Sequence, residues 1–132
     1  MKIKYRPPLA VTLYMLSAAS LVQANDYNKN TAQTLIHCYN ALFALDIFTD
    51  SRFTSEERDL TEKMRTTFRR ITLESELPKL ANAAISDMTQ EGYIAKITSD
   101  KFPAEKAQKE KEKLLSFCIP QLRKGEALPD AR

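Results

Sequence analysis

The chain has 132 residues, with 20 lysines and arginines against 17 aspartates and glutamates, one histidine, two cysteines and only two glycines. Its formal excess of three positive charges is carried by Lys2, Lys4 and Arg6, since no acidic residue precedes Asp26. The balanced remainder argues against nucleic-acid binding, which needs surplus cations to displace counterions from phosphates. The glycine poverty argues against phosphate-cradling loops, tight hairpins and β-sandwiches.

The first segment, "MKIKYRPPLAVTLYMLSAASLVQAN", reads as a secretory signal peptide. Lys2, Lys4 and Arg6 make a positive n-region, and Leu9 to Val22 form an apolar run of 14 residues. A membrane span needs about 20 such residues, so an uncleaved anchor is the weaker reading. Val22-Gln23-Ala24 supplies small residues at the cleavage positions, predicting removal of residues 1–24 and a soluble, periplasmic mature chain without stable membrane insertion. No cysteine adjoins the cleavage site to take a lipid. Residues 25–132, which hold 17 basic and 17 acidic side chains, suffice for one domain with a modest core.

That domain reads as helical throughout. After the polar lead "NDYNKN", Asn30 or Thr31 is the predicted cap of a first helix, with Leu35, Ile36, Tyr39, Leu42, Phe43 and Ile47 as its apolar stripe. "FTDSRFT", residues 48–54, breaks the pattern. Thr54 and Glu57 then form a capping box, and Leu60, Met64, Phe68 and Ile71 follow at steps of four, four and three along a second helix. Pro78 cannot continue that helix but suits the first turn of a third, carrying Leu80, Ala81, Ala84, Ile85 and Met88 inward. Gly92 ends it or permits a close contact, and "GYIAKITSD" adds a turn or two.

Pro103 opens the last helix, charged in its first half and turned inward at Leu114, Leu115, Cys118 and Leu122. Pro120 is expected to kink or end it, Gly125 to stop any continuation, and "EALPDAR" to be a loose tail. The prediction is an all-α fold, a single small bundle of about four helices.

Cys38 on the first helix and Cys118 on the last are the natural ends of a staple in an oxidising compartment. Closing a ring of about 81 residues removes roughly 4–5 kcal/mol of unfolded-chain entropy in the loop model. Redox work would favour adjacent cysteines, and C-x-x-C is absent. His37 with the two cysteines makes only three candidate zinc ligands, two of which a disulfide consumes. Haem ligation by His37 with Met64 or Met88 has no attachment motif behind it. Neither G-x-S-x-G nor H-E-x-x-H occurs. The expectation is therefore a protein without a cofactor or metal, and not an enzyme.

Two features suit a protein partner. Arg58, Arg65, Arg69 and Arg70 cluster on the second helix, where guanidinium forks can pair carboxylates; of these, Arg65, Arg69 and Arg70 are the candidate contacts. Phe48 and Phe53, in the "FTDSRFT" loop, are the others, because an aromatic ring on a loop must either pack or bind. Ordinary solubilising helix charge is the plain alternative for the arginines.

With its leader, a mature chain of this size, Cys38 in "IHCYNAL" and Cys118 in "LLSFCIP", the sequence resembles the small helical immunity proteins that neutralise type VI secretion peptidoglycan-amidase effectors in the periplasm. That resemblance implies a stable helical inhibitor, open to homodimerisation, that plugs the active site of a toxin or cell-wall hydrolase. The runner-up is a periplasmic stress chaperone that holds unfolded clients, although one histidine and no acidic excess provide no special acid switch.

Overall fold

A computed structural model describes residues 28–131 in full and, for residues 9–27, only their membership of the first helix. The predicted signal peptide and its cleavage site lie outside the fully described residues. The order is α1 (Leu9–Phe48), α2 (Ser55–Arg70), α3 (Leu77–Gln90), the single-turn α4 (Tyr93–Ile97) and α5 (Ala104–Glu126), with no strand among the described residues. α2, α3 and α5 all pack against α1, which is the central helix of the bundle. No helix among the described residues is long and apolar enough to cross a membrane.

The core is built from the predicted stripes. Leu35, Ile36, Leu42 and Leu45 of α1 meet Met64, Phe68 and Ile71 from the α2 side, Leu80 and Ala84 of α3, Ile97 of α4, and Leu115, Cys118 and Leu122 of α5. Each large aliphatic side chain so buried contributes about 1.5–3 kcal/mol. Ile85, expected inside, is 57 % exposed, and Phe43 and Ile47 also face out. The apolar stripe of α1 is thus wider than its neighbours can cover.

Helix boundaries follow local chemistry. The predicted start at Asn30 or Thr31 is overturned, because α1 passes through both; no glycine or proline interrupts the chain between Leu9 and Phe48. At its other end, the hydroxyls of Thr49 and Ser51 both donate to Leu45 O, satisfying a terminal carbonyl. The capping box of α2 is present in both halves: Glu57 N–H donates to Thr54 Oγ1 at 3.1 Å, and Thr54 N–H donates to Glu57 Oε1 at 2.9 Å. Gly92 holds a left-handed conformation (φ 67°) between α3 and α4, and no atom lies within 4 Å of where a Cβ would stand. Of the two roles expected, it serves the turn.

α5 departs most from expectation. It runs through Pro120 to Glu126, so neither Pro120 nor Gly125 stops it. Pro120 removes the donor that Ser116 O would receive, but both residues are exposed and water can replace it. Gly125 is instead a contact residue: a Cβ there would lie 2.8 Å from Thr67 Cγ2 and 2.9 Å from Leu35 Cδ1, closer than carbon atoms can pack. Its missing side chain lets α5 press against α1 and α2. Seven residues before Gly125, about two turns of helix, the same pair of helices is joined covalently by Cys38–Cys118, with Cα atoms 5.9 Å apart.

Polar clamps hold the irregular segments. Lys111 of α5 is only 2 % exposed; its ammonium donates to Arg52 O at 2.5 Å and to Glu57 Oε1 at 2.7 Å, and lies 5.3 Å from the centre of the Phe53 ring. One carboxylate therefore completes the α2 cap and neutralises a buried cation. At the far end, Arg70 Nη1 donates to Leu128 O and Asp130 Oδ1, both at 2.8 Å, while Nη2 donates to Gly125 O at 3.0 Å. Ala131 N–H returns a bond to Arg70 O at 3.0 Å, and Leu128 packs on the core. The tail expected to be loose is tied down, because Arg70 supplies donors to carbonyls that the end of α5 leaves open.

Two stability predictions follow from these contacts. Cys38→Ala/Cys118→Ala should lower the free energy of unfolding by about 4–5 kcal/mol in the loop-closure account, read as a lower urea midpoint with the helical circular dichroism retained. The second concerns Glu57. Burial alone would raise its pKa, yet the Lys111 hydrogen bond and charge and the Thr54 N–H outweigh burial and hold the carboxyl below its ordinary value. A depressed folded pKa contributes stability that is fully present above the unfolded value, about 4.3, and is lost as pH falls through the folded value. The melting temperature should therefore fall as the pH drops below about 4.3. Glu57→Gln should remove about 1–3 kcal/mol at pH 7 and flatten that acid limb; an acid limb unchanged in the variant would assign it to other carboxylates.

Candidate functional site

The five residues singled out for a partner separate into different roles. Phe53 is only 8 % exposed, its ring buried beneath the Lys111 ammonium, so it packs rather than binds. Arg70 is spent on the C-terminal clamp. Phe48, the last residue of α1, is 52 % exposed. Arg65 is exposed and paired with Glu62 one turn earlier at 2.9 Å. Arg69 is exposed and makes no hydrogen bond or ion pair with any described residue.

Arg65 and Arg69 belong to a longer stripe. Arg58, Glu62, Arg65 and Arg69 recur at steps of four, three and four, which places them along one side of α2. Arg58 anchors that stripe to α1, its Nε and Nη2 donating to the two oxygens of Asp46 at 2.9 and 3.0 Å. Hydrogen bonding to Asp46, and its charge, raise the Arg58 pKa further above its ordinary value. Asp46 lies between Phe43 and Ile47 in the sequence, and those two side chains are 45 % and 55 % exposed. Tyr39 stacks on Phe43 at 5.7 Å between ring centres and meets Phe68 edge-on at 6.0 Å, fixing Phe43 against the bundle. The outcome is a composite face: two large apolar side chains of α1 beside a mostly cationic stripe of α2.

Sequence periodicity assigned Phe43 and Ile47 to the core and so missed half of this face. The available signal was their position on the edge of a stripe spanning more of α1 than one neighbour covers. Asp46–Arg58 had no sequence signal, since the pairing depends on how two helices are set side by side.

A second feature is a groove of about 340 Å³ on another side of α1. Thr34, His37 and Ala41 of α1 form one wall, Leu114 and Phe117 of α5 the other, with Met88 and Glu91 from the end of α3, Tyr93 from α4, and the disulfide lining it. His37 Nε2 is 3.6 Å from Asp87 Oδ2. The Tyr93 hydroxyl donates to Glu110 Oε2 at 3.1 Å. Burial, with the Glu110 carboxylate adding to it, pushes the Tyr93 pKa far above that of an ordinary phenol, so the group remains a neutral donor. No general base, nucleophile and oxyanion donor converge here.

A third hollow lies where α2 gives way to α3, lined by Arg69, Thr72, Glu74 and Ser75 among others. Thr72 Oγ1 is buried there without a hydrogen-bond partner. Glu74 offsets Arg69, and Arg70 is committed elsewhere, so the hollow carries little net charge. Among the described residues, no group of three or more His, Cys, Asp or Glu side chains is gathered as a metal site. Comparison with protein-family models, curated proteins and solved structures finds no match.

The two adjacent arginines give opposite expectations. Arg70→Gln should cost about 1.5–3 kcal/mol, as for hydrogen bonds from a charged donor, and should release residues 127–131 to rapid amide exchange. Arg70→Lys should not restore the clamp, because an ammonium lacks the planar fork that reaches several carbonyls. Arg69→Gln should change stability by less than about 0.5 kcal/mol. Equal losses at both positions would show that the clamp does not hold the tail.

Proposed function

We propose that this chain is an exported, non-catalytic protein that binds and inhibits a protein partner in the periplasm, with a secreted cell-wall hydrolase as the partner class. The observation that carries this reading is the composite face, where Phe43 and Ile47 stand exposed beside Arg58, Arg65 and Arg69. Large apolar side chains flanked by arginines are the composition of protein-interface hot spots. Their presentation from packed helices limits the ordering entropy lost on binding. The Cys38–Cys118 disulfide suits an oxidising compartment and a domain that must persist there. An acidic patch around a hydrophobic recess is the complementary surface on the partner.

The test is affinity capture with the tagged chain, expressed with its own leader, from envelope and secreted fractions. A cell-wall hydrolase should be retained in a fixed ratio and lose activity on binding. Phe43→Asp/Ile47→Asp and Arg65→Glu/Arg69→Glu should each weaken that capture at least tenfold while keeping the helical circular dichroism, with only a modest fall in melting temperature from the lost Tyr39–Phe43 stacking and Glu62–Arg65 pair. Capture of mixed unfolded clients only on acidification would overturn the inhibitor reading in favour of a chaperone. Undiminished hydrolase capture by both variants would move the interface off this face.

A further inference from the structure

We infer that the groove beside the disulfide is a receptor for a single long cationic side chain, lysine or arginine, projecting from a protein partner. The inference relies on the proposed function only for what carries that side chain; the chemistry of the groove stands separately. At about 340 Å³ the space is near the lower end of ligand pockets. It is therefore suited to one side chain rather than to a helix.

Its walls are apolar. Ala41, Met88, Leu114, Phe117 and the Cys38–Cys118 bridge offer methyl, methylene, thioether, ring and disulfide surface to an aliphatic stem. Lysine and arginine bury such stems while holding their charge at a polar mouth.

The mouth is acidic. Asp87 and Glu91 lie four residues apart on the last turn and C-cap of α3, and so share one side of that helix. Glu91 is exposed and makes no ion pair among the described residues. The carbonyl end of a 14-residue helix adds negative partial charge at the same place. Glu110 stands behind Tyr93 as a third carboxylate. Facing them, Lys96 partly offsets their charge, its ammonium lying 5.5 Å over the Tyr93 ring and 5.9 Å over Phe102, and the His37 imidazole lies 3.6 Å from Asp87. Lys113, next to Leu114, is exposed. Glu91 remains the carboxylate without a counterion.

Phe117 completes the selection. Its ring is 56 % exposed at the lip, where an apolar side chain loses free energy to water unless something covers it. A guanidinium or ammonium reaching toward Glu91 would pass that ring, adding a cation–π contact to the ion pair.

The experiment uses small probes and the full chain. Butylguanidinium and 1-pentanol, of similar length and apolar content, are titrated separately while amide and methyl resonances are followed by NMR. Saturable shifts from butylguanidinium at Met88, Tyr93, Leu114 and Phe117, with pentanol at least tenfold weaker, are expected. Asp87→Asn/Glu91→Gln should reduce butylguanidinium affinity about tenfold and leave pentanol unaffected; Phe117→Ala should weaken butylguanidinium. These positions are exposed or half-exposed, and unchanged circular dichroism would verify the fold. Pentanol binding as tightly as butylguanidinium, full affinity in the neutralised variant, or shifts outside the groove would overturn the inference. Because no partner protein is present, any of these results stands whether or not a hydrolase is captured by the composite face.

Discussion

The contact between α1 and α5 governs the rest of the structure. The two helices are 80 residues apart at their cysteines, and a contact of that separation must overcome a large loop-closure entropy before it is formed. The disulfide moves that entropy cost onto the unfolded chain. Once α5 is held on α1, Lys111 is positioned against the 49–54 segment, Gly125 against Leu35 and Thr67, and Leu114 and Phe117 against the α1 wall of the groove. The sulfur atoms serve both as staple and as part of the surface that the proposed ligand would meet.

Polar clamps finish what the staple begins. Lys111 lies in the first half of α5 and reaches the loop before α2; Arg70 lies at the end of α2 and reaches the end of α5. α2 is consequently fastened to α5 at both ends. A buried cation costs several kcal/mol to desolvate and is tolerated only when its donors are met. The Lys111 ammonium has a carbonyl, a carboxylate and an aromatic face, and these partners come from consecutive stretches of chain, Arg52, Phe53 and Glu57. Such a set fixes the path of the loop as well as stabilising it. Phe53 is buried for this reason, whereas Phe48, one residue before the loop, remains free of it.

The parts readable from sequence were those decided locally. Thr54 and Glu57 are three residues apart and satisfy each other whatever surrounds them; Pro78 and Pro103 can only begin helices; the only two cysteines, one on the first helix and one on the last, had only each other to pair with. The missed features depend on neighbours. Asn30 and Thr31 are competent caps, but helix continues where no residue breaks it. Pro120 is tolerated because the carbonyl it deprives faces water, and a tail without periodicity is ordered because an arginine 55 to 60 residues away has donors to give. Phe43 and Ile47 match the core pattern in spacing and hydrophobicity. Only the limited reach of α2 and α3 leaves them outside, so the composite face was half legible: its arginines in the sequence, its apolar part in the packing.

The two candidate surfaces share α1 and yet are physically separate. At about 100° per residue, His37 and Ala41 lie roughly a third of a turn from Phe43 and Ile47. Between them runs Ala44, which is 4 % exposed and therefore covered by the bundle. A partner resting on Phe43 and the arginine stripe would have to pass around that covering to place a side chain beside Cys118. The two faces also carry opposite charge: Arg58, Arg65 and Arg69 line one, and Asp87 with Glu91 stand at the other. A partner engaging both must present acidic and basic elements at fixed separation, a far more demanding match than either face alone. Under the proposed reading, that demand would let a small domain whose residues 25–132 hold equal numbers of acidic and basic side chains discriminate among proteins without any net charge to attract them.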